Sequence, residues 1–543
     1  MAKSKKKIKK QNKSAGKSAA PVKENQRDTA TGASYDEAPY ESYAYPFTHP
    51  AHQALVARLF GVATPDLHTA RVLEIGCAGG GNLLPLAHDF PKAEFVGIDL
   101  SPVQIAEANT HKKALELKNV KFEAMDIMDF PKSWGKFDYI ICHGVFSWVP
   151  EFVREKILDV CRQHLSKNGL ACISYNVMPG WGPLRSIREM MMIHTKKFDD
   201  PAKKVAQAKY LIEFLDKYMA PGSTMHKAIH DINEKFKENV NDSYILHEYL
   251  ESNNNPFFFN EFAEMIGRHD LQYIGDSTLS LMYTGNFPPD ADKILKQVAD
   301  NITKEQYIDF LSNRQFRYSV IAGKEAQIKG AGLDVLDDMY FSCDLVLEEE
   351  KAGQPLKFRR PNSDFSIDVG DPIVAILLKE MTENRHTAYN LKEMVALVTG
   401  KTNAFTPEQV EKFLRSHLIL YSFKSIFRPG LLPSTHTQTI SKKPKAYPIA
   451  MYQAGLPRCT ALTTASYSVA KLSALEMAFL RHLDGHKTYD QIVKKVLESI
   501  GSGAISISQN NVPVTDPKKQ QVLLEENISN ILKKIAKFGL LVS

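Results

Sequence analysis

The chain has 543 residues, more than one hydrophobic core usually accommodates, so its length predicts roughly three or four domains. Hydrophobic residues make up 43% and charged residues 24% of the chain, which excludes a fibrous or wholly disordered protein. Because no stretch approaches the ~18 consecutive apolar residues of a spanning helix, we expect no membrane span.

The net charge of +6 is unevenly distributed along the chain. Residues 1–27 carry a charge of +9 on a lysine-rich segment with few apolar side chains, which predicts a disordered basic tail over residues 1–33. The remaining residues carry −3, so the body lacks the basic surface of a duplex-binding protein. We therefore expect no specific nucleic-acid partner.

The six cysteines occur without a CxxC pair or a His/Cys cluster at zinc-binding spacing. We therefore expect neither disulfides nor a metal site. No apolar segment follows the basic N-terminus, so the sequence predicts no secretory signal and a cytoplasmic location.

Strand-like and helix-like segments alternate from residue 71 onward. Short apolar runs predict strands at residues 71–77, 94–100, 120–126, 137–144 and 169–176. Amphipathic segments predict helices at residues 82–90, 103–117 and 152–165. Ser101 and Pro102 supply a capping residue and a first-turn proline for the second of these helices. The alternation predicts an α/β fold with a doubly wound parallel sheet, covered by helices on both faces.

The pattern changes after residue 184. Residues 185–268 have helical periodicity and many charged side chains, which predicts a helical insertion. Strand-like runs at 271–275 and 280–283 then predict the last strands of the sheet. This assigns the first domain to residues 34–184 and 269–290, followed by a middle region over residues 291–349.

The C-terminal third is predicted to contain two modules of similar plan. Glycines, prolines and few apolar side chains predict a linker at residues 350–370. Helices followed by short apolar runs, at 418–423 and 539–542, predict winged-helix-like α+β modules at residues 371–440 and 441–543. Because the body is acidic, we expect these modules to bind protein or to pack on the first domain.

Small residues and acids follow the first predicted strands at regular spacing. Glu74, Gly76, Ala78 and Gly80 surround the end of the first strand, where a ligand can approach the backbone closely and the next helix directs free N–H groups at it. Asp99 ends the second strand, where an acid can accept both hydroxyls of a ribose. These features alone also fit a dinucleotide-binding fold.

The acid at position 74 distinguishes a dinucleotide from a ribose-containing ligand without a pyrophosphate. A carboxylate two residues before the first glycine would repel a pyrophosphate, whereas it suits a ligand whose end carries an ammonium or sulfonium group. Asp126 closes the third strand, where it could accept from an adenine amino group while Ile127 covers the ring.

At these positions the chain resembles the class I S-adenosylmethionine-dependent methyltransferases, whose motif is (D/E)xGxGxG. Alanine at position 78 departs from the middle glycine of that motif. The resemblance covers about residues 35–285 and implies a Rossmann-like catalytic domain with S-adenosyl-L-methionine as its cofactor. The cofactor-binding residues that we assign are Glu74, Gly76, Ala78, Gly80, Asp99, Leu100, Asp126, Ile127 and His143.

Further runs at residues 35–47, 143–150, 176–181 and 244–250 resemble methyltransferases that carry a regulatory domain. This group includes bacterial (rickettsial-type) protein-lysine methyltransferases that act on outer-membrane surface proteins. The resemblance implies a helical insertion, a C-terminal winged-helix region and a lysine-containing protein acceptor.

Methyl transfer from a sulfonium requires an aligned nucleophile and exclusion of water, which predicts an aromatic channel beside the donor. Tyrosines before the first strand are interpreted either as a cover over the cofactor or as an anchor on the sheet; they are Tyr35, Tyr40, Tyr43 and Tyr45. The catalytic candidates are Tyr43, His143, Trp148 and Asn176.

One of these candidates, Asn176, and one further pair, His247 and Glu248, each have two interpretations. Asn176 ends the fifth strand, where it orients the nucleophile or caps the next helix. His247 and Glu248 do not form a zinc motif, because position 251 is Glu251. This pair is interpreted either as solvated surface or as part of the substrate mouth.

Three functional classes remain open from the sequence. The first is a protein-lysine methyltransferase, and the second is a methyltransferase acting on a small molecule or another protein side chain. The third is a non-catalytic methyltransferase-like protein that only binds partners. The complete cofactor motif argues against the third class, and the additional domains favour a macromolecular acceptor. A homodimer is a possible assembly.

Overall fold

The structure is a computed structural model that describes residues 42–542, except 239–240, 331, 352, 362, 386, 458 and 510–511. The predicted basic tail, together with Tyr35 and Tyr40, lies outside these residues. All six cysteines are free thiols. Within the described ranges, none of the helices combines the length and hydrophobicity that crossing a membrane requires.

A mixed sheet forms the centre of the first domain. In the described part of the chain its seven strands are β1 (Arg71–Ile75), β2 (Glu94–Asp99), β3 (Val120–Ala124), β4 (Phe137–Cys142), β5 (Leu165–Asn176), β6 (Leu271–Asp276) and β7 (Phe316–Gly323). Their order in the sheet is β3-β2-β1-β4-β5-β7-β6. Strands β1 to β5 run parallel, and β7 is antiparallel to both of its neighbours. The predicted doubly wound α/β fold is confirmed.

Helices cover both faces of this sheet. They include α1 (Pro50–Leu59), α2 (Leu83–Asp89), α3 (Pro102–Ala114) and α4 (Glu151–His164). Alternate residues of β1 enter different cores, with Val72 on the face of α2 and α3 and Leu73 on the face of α4. Because both faces are covered, β1 carries apolar side chains on both of them, at Val72, Leu73 and Ile75. The Ser101 side chain accepts from the Gln104 N–H at 3.2 Å and caps α3 as predicted.

A helical insertion separates β5 from β6. It contains α5 (Trp181–Thr195), α6 (Pro201–Tyr218), α7 (Thr224–Lys237) and α8 (Asp242–Tyr249), and α9 (Phe259–Arg268) returns the chain to the sheet. Helices α5 to α8 share a small core of their own that includes Ile187, Ile212 and Ile245. The insertion therefore has its own packing and does not depend on the sheet for all of its buried contacts.

The predicted position of the last strand of the sheet is wrong. Residues 280–283 overlap a short 3-10 helix (Leu279–Met282), and the final strand is β7, inside the range assigned to the middle region. Arg317 interrupts the apolar pattern of β7, yet it is fully buried because Asp309 and Glu305 pair with it at 2.8 and 3.0 Å. Helices α10 (Pro289–Gln297) and α11 (Asn301–Ser312) connect β6 to β7. A domain ending at residue 290 would lack the strand that joins β5 to β6.

The middle of the chain forms a second body with its own core. Its helices are α12 (Pro372–Glu383), α13 (Leu391–Thr399) and α14 (Pro407–Phe423). β8 (Tyr340–Ser342) pairs with β12 (Tyr389–Asn390) and β13 (Arg428–Gly430). A separate antiparallel sheet contains β9 (Val346–Glu349), β10 (Leu356–Arg359) and β11 (Ser366–Val369).

Two predictions for this body are wrong. The proposed linker at 350–370 contains β10 and β11, whose polar composition reflects a small sheet that buries only a few side chains, among them Phe358 and Val369. The apolar run at 418–423 is the end of α14 and not a strand. Val410, Leu414 and Leu418 are buried at intervals of four, so the helical period determines this segment.

The C-terminal body packs against the first domain. Its helices are α15 (Pro448–Gln453), α16 (Ala474–Leu480), α17 (Tyr489–Gly501) and α18 (Pro517–Lys537). Its paired strands are β14 (Lys445–Ala446) with β19 (Leu541–Val542), β15 (Leu462–Thr463) with β16 (Val469–Ala470), and β17 (Ser508–Gln509) with β18 (Val512–Pro513). The Tyr447 and Tyr467 hydroxyls both donate to Oδ2 of Asp89, at 3.1 and 2.9 Å, and hold this body against the end of α2.

Candidate active site

A cavity of about 390 Å³ lies at the carboxyl ends of the parallel strands. We call its first side the strand-end wall, which comprises Glu74, Gly76, Ala78, Asp99, Leu100, Asp126 and Ile127. We call its second side the insertion wall, which comprises Trp181, Leu184, Lys235, Tyr244, His247, Glu248 and Tyr249. His143, Trp148, Asn176 and Phe316 also line the cavity, from the ends of β4 and β5 and the start of β7. This volume lies within the range of cavities that bind small molecules.

Glycines shape the turn between β1 and α2. Gly76 has φ +76°, and a Cβ there would clash with the side chain of Val145. At Gly81 a Cβ would clash with the backbone carbonyl of Ser42, and the Gly81 N–H donates to Ser42 Oγ at 2.8 Å. The turn therefore requires glycine to admit both a bound ligand and the segment that covers it.

The overlying segment, residues 42–49, crosses this turn and is connected to it by Asn82. The Tyr45 N–H donates to Asn82 Oδ1 at 3.0 Å. The Asn82 amide then donates to Glu74 Oε1 at 2.8 Å and to Thr48 Oγ1 at 3.2 Å. The Tyr45 ring lies 4.1 Å from the ring of His143 between centroids. The segment thus contacts both the strand-end wall and the end of β4.

Glu74 is a buried acid with an unsatisfied oxygen. Its side chain is enclosed, and Oε2 has no hydrogen-bond partner among the described residues. Burial, with a contribution from the negative charge of Asp99, raises the pKa of Glu74 to about 8 even though Asn82 donates to it. An orphaned carboxylate oxygen in this position is suited to a cationic ligand group, which would restore the charged form.

The other acids of the strand-end wall are oriented by backbone donors. Asp99 Oδ2 accepts from the Ala78 N–H and Oδ1 accepts from the Ser101 N–H, both at 2.9 Å. Asp126 Oδ1 accepts from the Met128 N–H at 2.9 Å. These contacts fix the orientation of each acid at the carboxyl end of its strand.

His143 lies at the end of β4 within a group of aromatic rings. Its Nδ1 is 2.8 Å from Ser174 Oγ, and its ring stacks on Tyr318 with a centroid separation of 5.4 Å. Burial lowers the pKa of His143 to about 4, so the imidazole is neutral at pH 7. A neutral ring held on two sides has a fixed orientation and is a weak base.

Trp148 and Asn176 continue the lining beyond His143. The indole of Trp148 meets that of Trp181 edge to face, with centroids 6.4 Å apart. Asn176 is buried, and its side-chain amide donates to Asn254 Oδ1 at 3.2 Å. Trp148 therefore connects the sheet to the insertion wall, while Asn176 also anchors the segment that follows α8.

Helix α8 presents Tyr244 and Glu248, one turn apart, to the cavity. Burial raises the pKa of Glu248 to about 7, although the positive charge of Lys235 opposes the shift. His247 Nδ1 lies 3.0 Å from Glu251 Oε1, and both side chains are buried. The His247–Glu251 pair therefore fixes α8, and Glu248 is the carboxylate that α8 turns toward the cavity. Within the described ranges, no cluster of His, Cys, Asp and Glu has the arrangement of a metal site.

Most of the residues predicted to form the site meet at this cavity. The residues that line it are Glu74, Gly76, Ala78, Asp99, Leu100, Asp126, Ile127, His143, Trp148 and Asn176. Gly80 does not line it, because its backbone, at φ +78°, faces Phe122. Tyr43 does not line it either, since its hydroxyl lies 2.9 Å from Thr460 Oγ1 of the C-terminal body. Tyr45, two residues later, is the tyrosine at the cavity.

Sequence reasoning missed several lining residues. Asn82 was predicted only as the start of a helix, and Lys235 lies in a charged helical stretch with no distinguishing motif. Trp181 and Tyr244 lie within the runs 176–181 and 244–250, which carried the signal without indicating that these side chains face the cavity. His247 and Glu248, for which two interpretations were open, both line the cavity.

Family models match three parts of the chain. "Methyltransferase domain" matches residues 67–247, and "Predicted methyltransferase regulatory domain" matches residues 241–322. "PKMT, C-terminal winged helix domain" matches residues 442–540. The second match ends within β7, so it includes the strand that the sequence analysis placed outside the sheet.

Relatives match either most of the chain or a part of it. Uncharacterized protein RP789 of Rickettsia prowazekii is 33% identical over 520 residues, which are 94% of this chain and 93% of the relative. Uncharacterized protein RP028 of the same organism is 41% identical over 231 residues, 42% of this chain and 92% of the relative. The solved structure of PKMT2 from Rickettsia typhi in complex with AdoHcy is 31% identical, with a TM-score of 0.83, and covers 93% of this chain and 100% of that one. The similarity therefore extends well beyond the first domain.

Proposed function

We propose that this chain transfers methyl groups to lysine side chains of a protein acceptor. The chain belongs to the family of S-adenosylmethionine-dependent methyltransferases that carry a regulatory domain and a PKMT C-terminal winged-helix domain. The predicted methyltransferase family and the cofactor S-adenosyl-L-methionine are confirmed by the family models and by the related structure that holds AdoHcy. The name PKMT, used for protein-lysine methyltransferases, supports the finer proposal.

The strand-end wall fits the methyl donor. The orphaned Glu74 Oε2 suits the ammonium group of the methionine portion, and Asp99 suits the ribose hydroxyls. Asp126 and Ile127 line the position that we assign to the adenine. When bound, the donor supplies an electrophilic methyl group on a sulfonium. The protein's own contribution is to align a nucleophile with that methyl group and to exclude water.

The residues of the insertion wall support a lysine side chain as the acceptor. This wall brings a carboxylate, Glu248, together with the rings of Trp181 and Tyr244 in the same cavity as the donor residues, and Trp148 lies against Trp181. An ammonium group is attracted both to aromatic faces and to a carboxylate, while the aromatic surroundings favour loss of its proton. A long side chain with a terminal amine fits this combination.

The test is the incorporation of label from S-adenosylmethionine into a whole-cell lysate, followed by mass spectrometry of the labelled protein. Methyl groups on lysine side chains would support the proposal. Label confined to small molecules, or found on carboxylates or glutamines, would overturn it in favour of the second class. The Asp99→Ala variant serves as the control, because it should remove the signal if the label passes through this site.

The homodimer and the cytoplasmic location stay predictions. Exposed aromatic residues recur every four positions on α6, at Tyr210, Phe214 and Tyr218, and such a stripe is an unusual surface for a monomer. We would compare the sedimentation of the wild-type chain with that of a variant carrying serine at these positions. A wild-type chain that sediments as a monomer would overturn the homodimer.

A further inference from the structure

We propose that Glu248 of the insertion is the group that removes the proton from the acceptor amine. The inference rests on the proposed lysine acceptor and names a residue outside the cofactor motif. An ordinary lysine, with a pKa near 10.4, is charged at neutral pH and has no lone pair to attack a methyl group. A protein-lysine methyltransferase therefore needs a proton acceptor within the cavity.

The packing of α8 directs Glu248 into the cavity. Ile245 and Tyr249 are buried on the side of α8 that meets the core of the insertion. His247 pairs with Glu251, two residues beyond the end of the helix, and the Arg188 guanidinium of α5 donates to the Glu251 carbonyl. These contacts fix the rotation of the helix, so the position of Glu248 does not depend on a flexible loop.

The charged and titratable groups around Glu248 come from several elements. Lys235 extends from α7, Tyr244, His247 and Tyr249 belong to α8, Glu251 follows that helix, and His143 lies at the end of β4. Burial is the largest influence on the pKa of Glu248 and raises it to about 7, with Lys235 opposing. The carboxylate is therefore present in substantial amount at neutral pH and can return a proton to solvent readily.

The other groups of the cavity are less suited to this role. His143 is a weak base because burial lowers its pKa to about 4. His247 is occupied by its pairing with Glu251. Glu74 accepts from Asn82 on the strand-end wall, where we assign it to the ammonium group of the donor. Glu248 is the acid of the opposite wall, on the side that we assign to the acceptor.

In the proposed reaction, transfer of a proton to Glu248 precedes transfer of the methyl group. An N–H bond of the acceptor ammonium breaks and an O–H bond forms on Glu248, which leaves a neutral amine and a neutral carboxylic acid. The amine lone pair then forms the new N–C bond while the C–S bond breaks, with its electron pair remaining on sulfur. The product is a methylammonium group, and Glu248 releases its proton to solvent before the next cycle.

The first experiment compares the Glu248→Gln and Glu213→Gln variants in the labelled-lysate assay over a range of pH. Glu213 is an exposed carboxylate of the same insertion that does not line the cavity, so its variant should behave as wild type. Glu248→Gln should lower lysine methylation at pH 7 by about 100-fold, a usual effect of losing a general base. Its remaining activity should rise about tenfold per pH unit above pH 7, where wild type has levelled off, because the free-amine fraction then limits the rate.

The second experiment measures binding without turnover. With S-adenosylhomocysteine present, n-butylammonium serves as a mimic of the lysine side chain and n-butanol as its neutral counterpart. Glu248→Gln should weaken n-butylammonium binding at least about tenfold, as expected for the loss of a charge-assisted hydrogen bond, and leave n-butanol binding unchanged. Unchanged affinity for S-adenosylhomocysteine and an unchanged circular dichroism spectrum would show that the variant folds.

The outcomes separate this inference from the proposed function. If wild type methylates lysine but Glu248→Gln keeps the wild-type rate, pH profile and n-butylammonium affinity, the role of Glu248 is overturned and the lysine acceptor stands. If wild type places no methyl group on lysine, the proposed function fails and the role of Glu248 fails with it. Parallel losses in both experiments for Glu248→Gln, with Glu213→Gln unaffected, would support the inference.

Discussion

The two walls of the cavity are constructed differently. The strand-end wall comes from turns within residues 74–127 that follow neighbouring parallel strands, and backbone donors orient its acids. The insertion wall comes from α5, α7 and α8, whose positions depend on a separate small core. The first wall is therefore determined by sheet topology and glycine conformation, and the second by side-chain packing.

Each wall contains one buried acid with a raised pKa. Glu74, with a pKa of about 8, is held by Asn82 beneath the overlying segment, whereas Glu248, with a pKa of about 7, is influenced by the positive charge of Lys235 on the same wall. Burial is the main cause in both cases, so at pH 7 the unliganded cavity keeps Glu74 mostly neutral while Glu248 is present in both forms. In the proposed mechanism Glu74 meets the ammonium group of the donor, which stays protonated, and Glu248 meets an acceptor ammonium that must lose its proton.

The largest expected effect comes from Asp99→Ala on the strand-end wall. The change removes charge-assisted bonds to the ribose worth about 1.5–3 kcal/mol each, and also the acceptor of the Ala78 and Ser101 N–H groups. We expect affinity for S-adenosylhomocysteine, measured by calorimetry, to fall at least about 100-fold. Asp364→Ala, at an exposed position of the middle body, is the matched control. Wild-type affinity in Asp99→Ala would remove the basis for the cofactor assignment.

Trp148→Ala tests the junction between the two walls. The change removes the indole that packs against Trp181, so we expect the acceptor to be poorly aligned while the donor site is preserved. Turnover should fall by about 30- to 100-fold, since a displacement of about 1 Å can cost 100-fold in rate. Affinity for S-adenosylhomocysteine should change by less than about threefold, because the loss concerns only alignment of the acceptor. Equal losses in turnover and cofactor affinity would contradict the assignment of donor binding to the strand-end wall and of acceptor alignment to the insertion wall.

Gly81→Ala tests whether the strand-end wall depends on the overlying segment. A Cβ at this position would clash with the backbone carbonyl of Ser42 and displace residues 42–49. Such overpacking costs about 1–3 kcal/mol, so cofactor affinity should fall by roughly tenfold. Gly267→Ala is a suitable control, because no described atom lies within 4 Å of the Cβ it would add to α9. Equal behaviour of the two variants would show that the segment does not contribute to binding.

The last prediction concerns the pH dependence of stability through Glu74. Its pKa is raised from 4.5 to about 8 in the folded protein, so the folded state binds more protons than the unfolded state within this window. The contribution of Glu74 to stability is therefore present below about pH 4.5 and is lost as the pH rises toward 8. Thermal unfolding should show the stability of Glu74→Gln improving relative to wild type as the pH rises from 5 to 8. A difference that is constant with pH would contradict the raised pKa.

The sequence predicted the strand-end wall well because its determinants are local. A glycine-rich turn, an acid after each of two further strands and the alternation of strands with helices all occur within about 60 residues. The errors arose where long-range contacts outweigh the local pattern. Arg317 concealed β7 because partners on α11 neutralise it, and residues 418–423 adopt the helical period of α14 despite their strand-like composition.

The sequence by itself determined the fold class and the nature of the donor, because parallel strands bring their carboxyl ends together in any such sheet. Only the tertiary structure decided which side chains complete the cavity. Tyr45 rather than Tyr43 faces it, and Glu248 joins it from a helix more than 120 residues after Asp126. The physical reason is that the rotation of a packed helix and the path of the overlying segment are set by burial against distant residues, which no local spacing records.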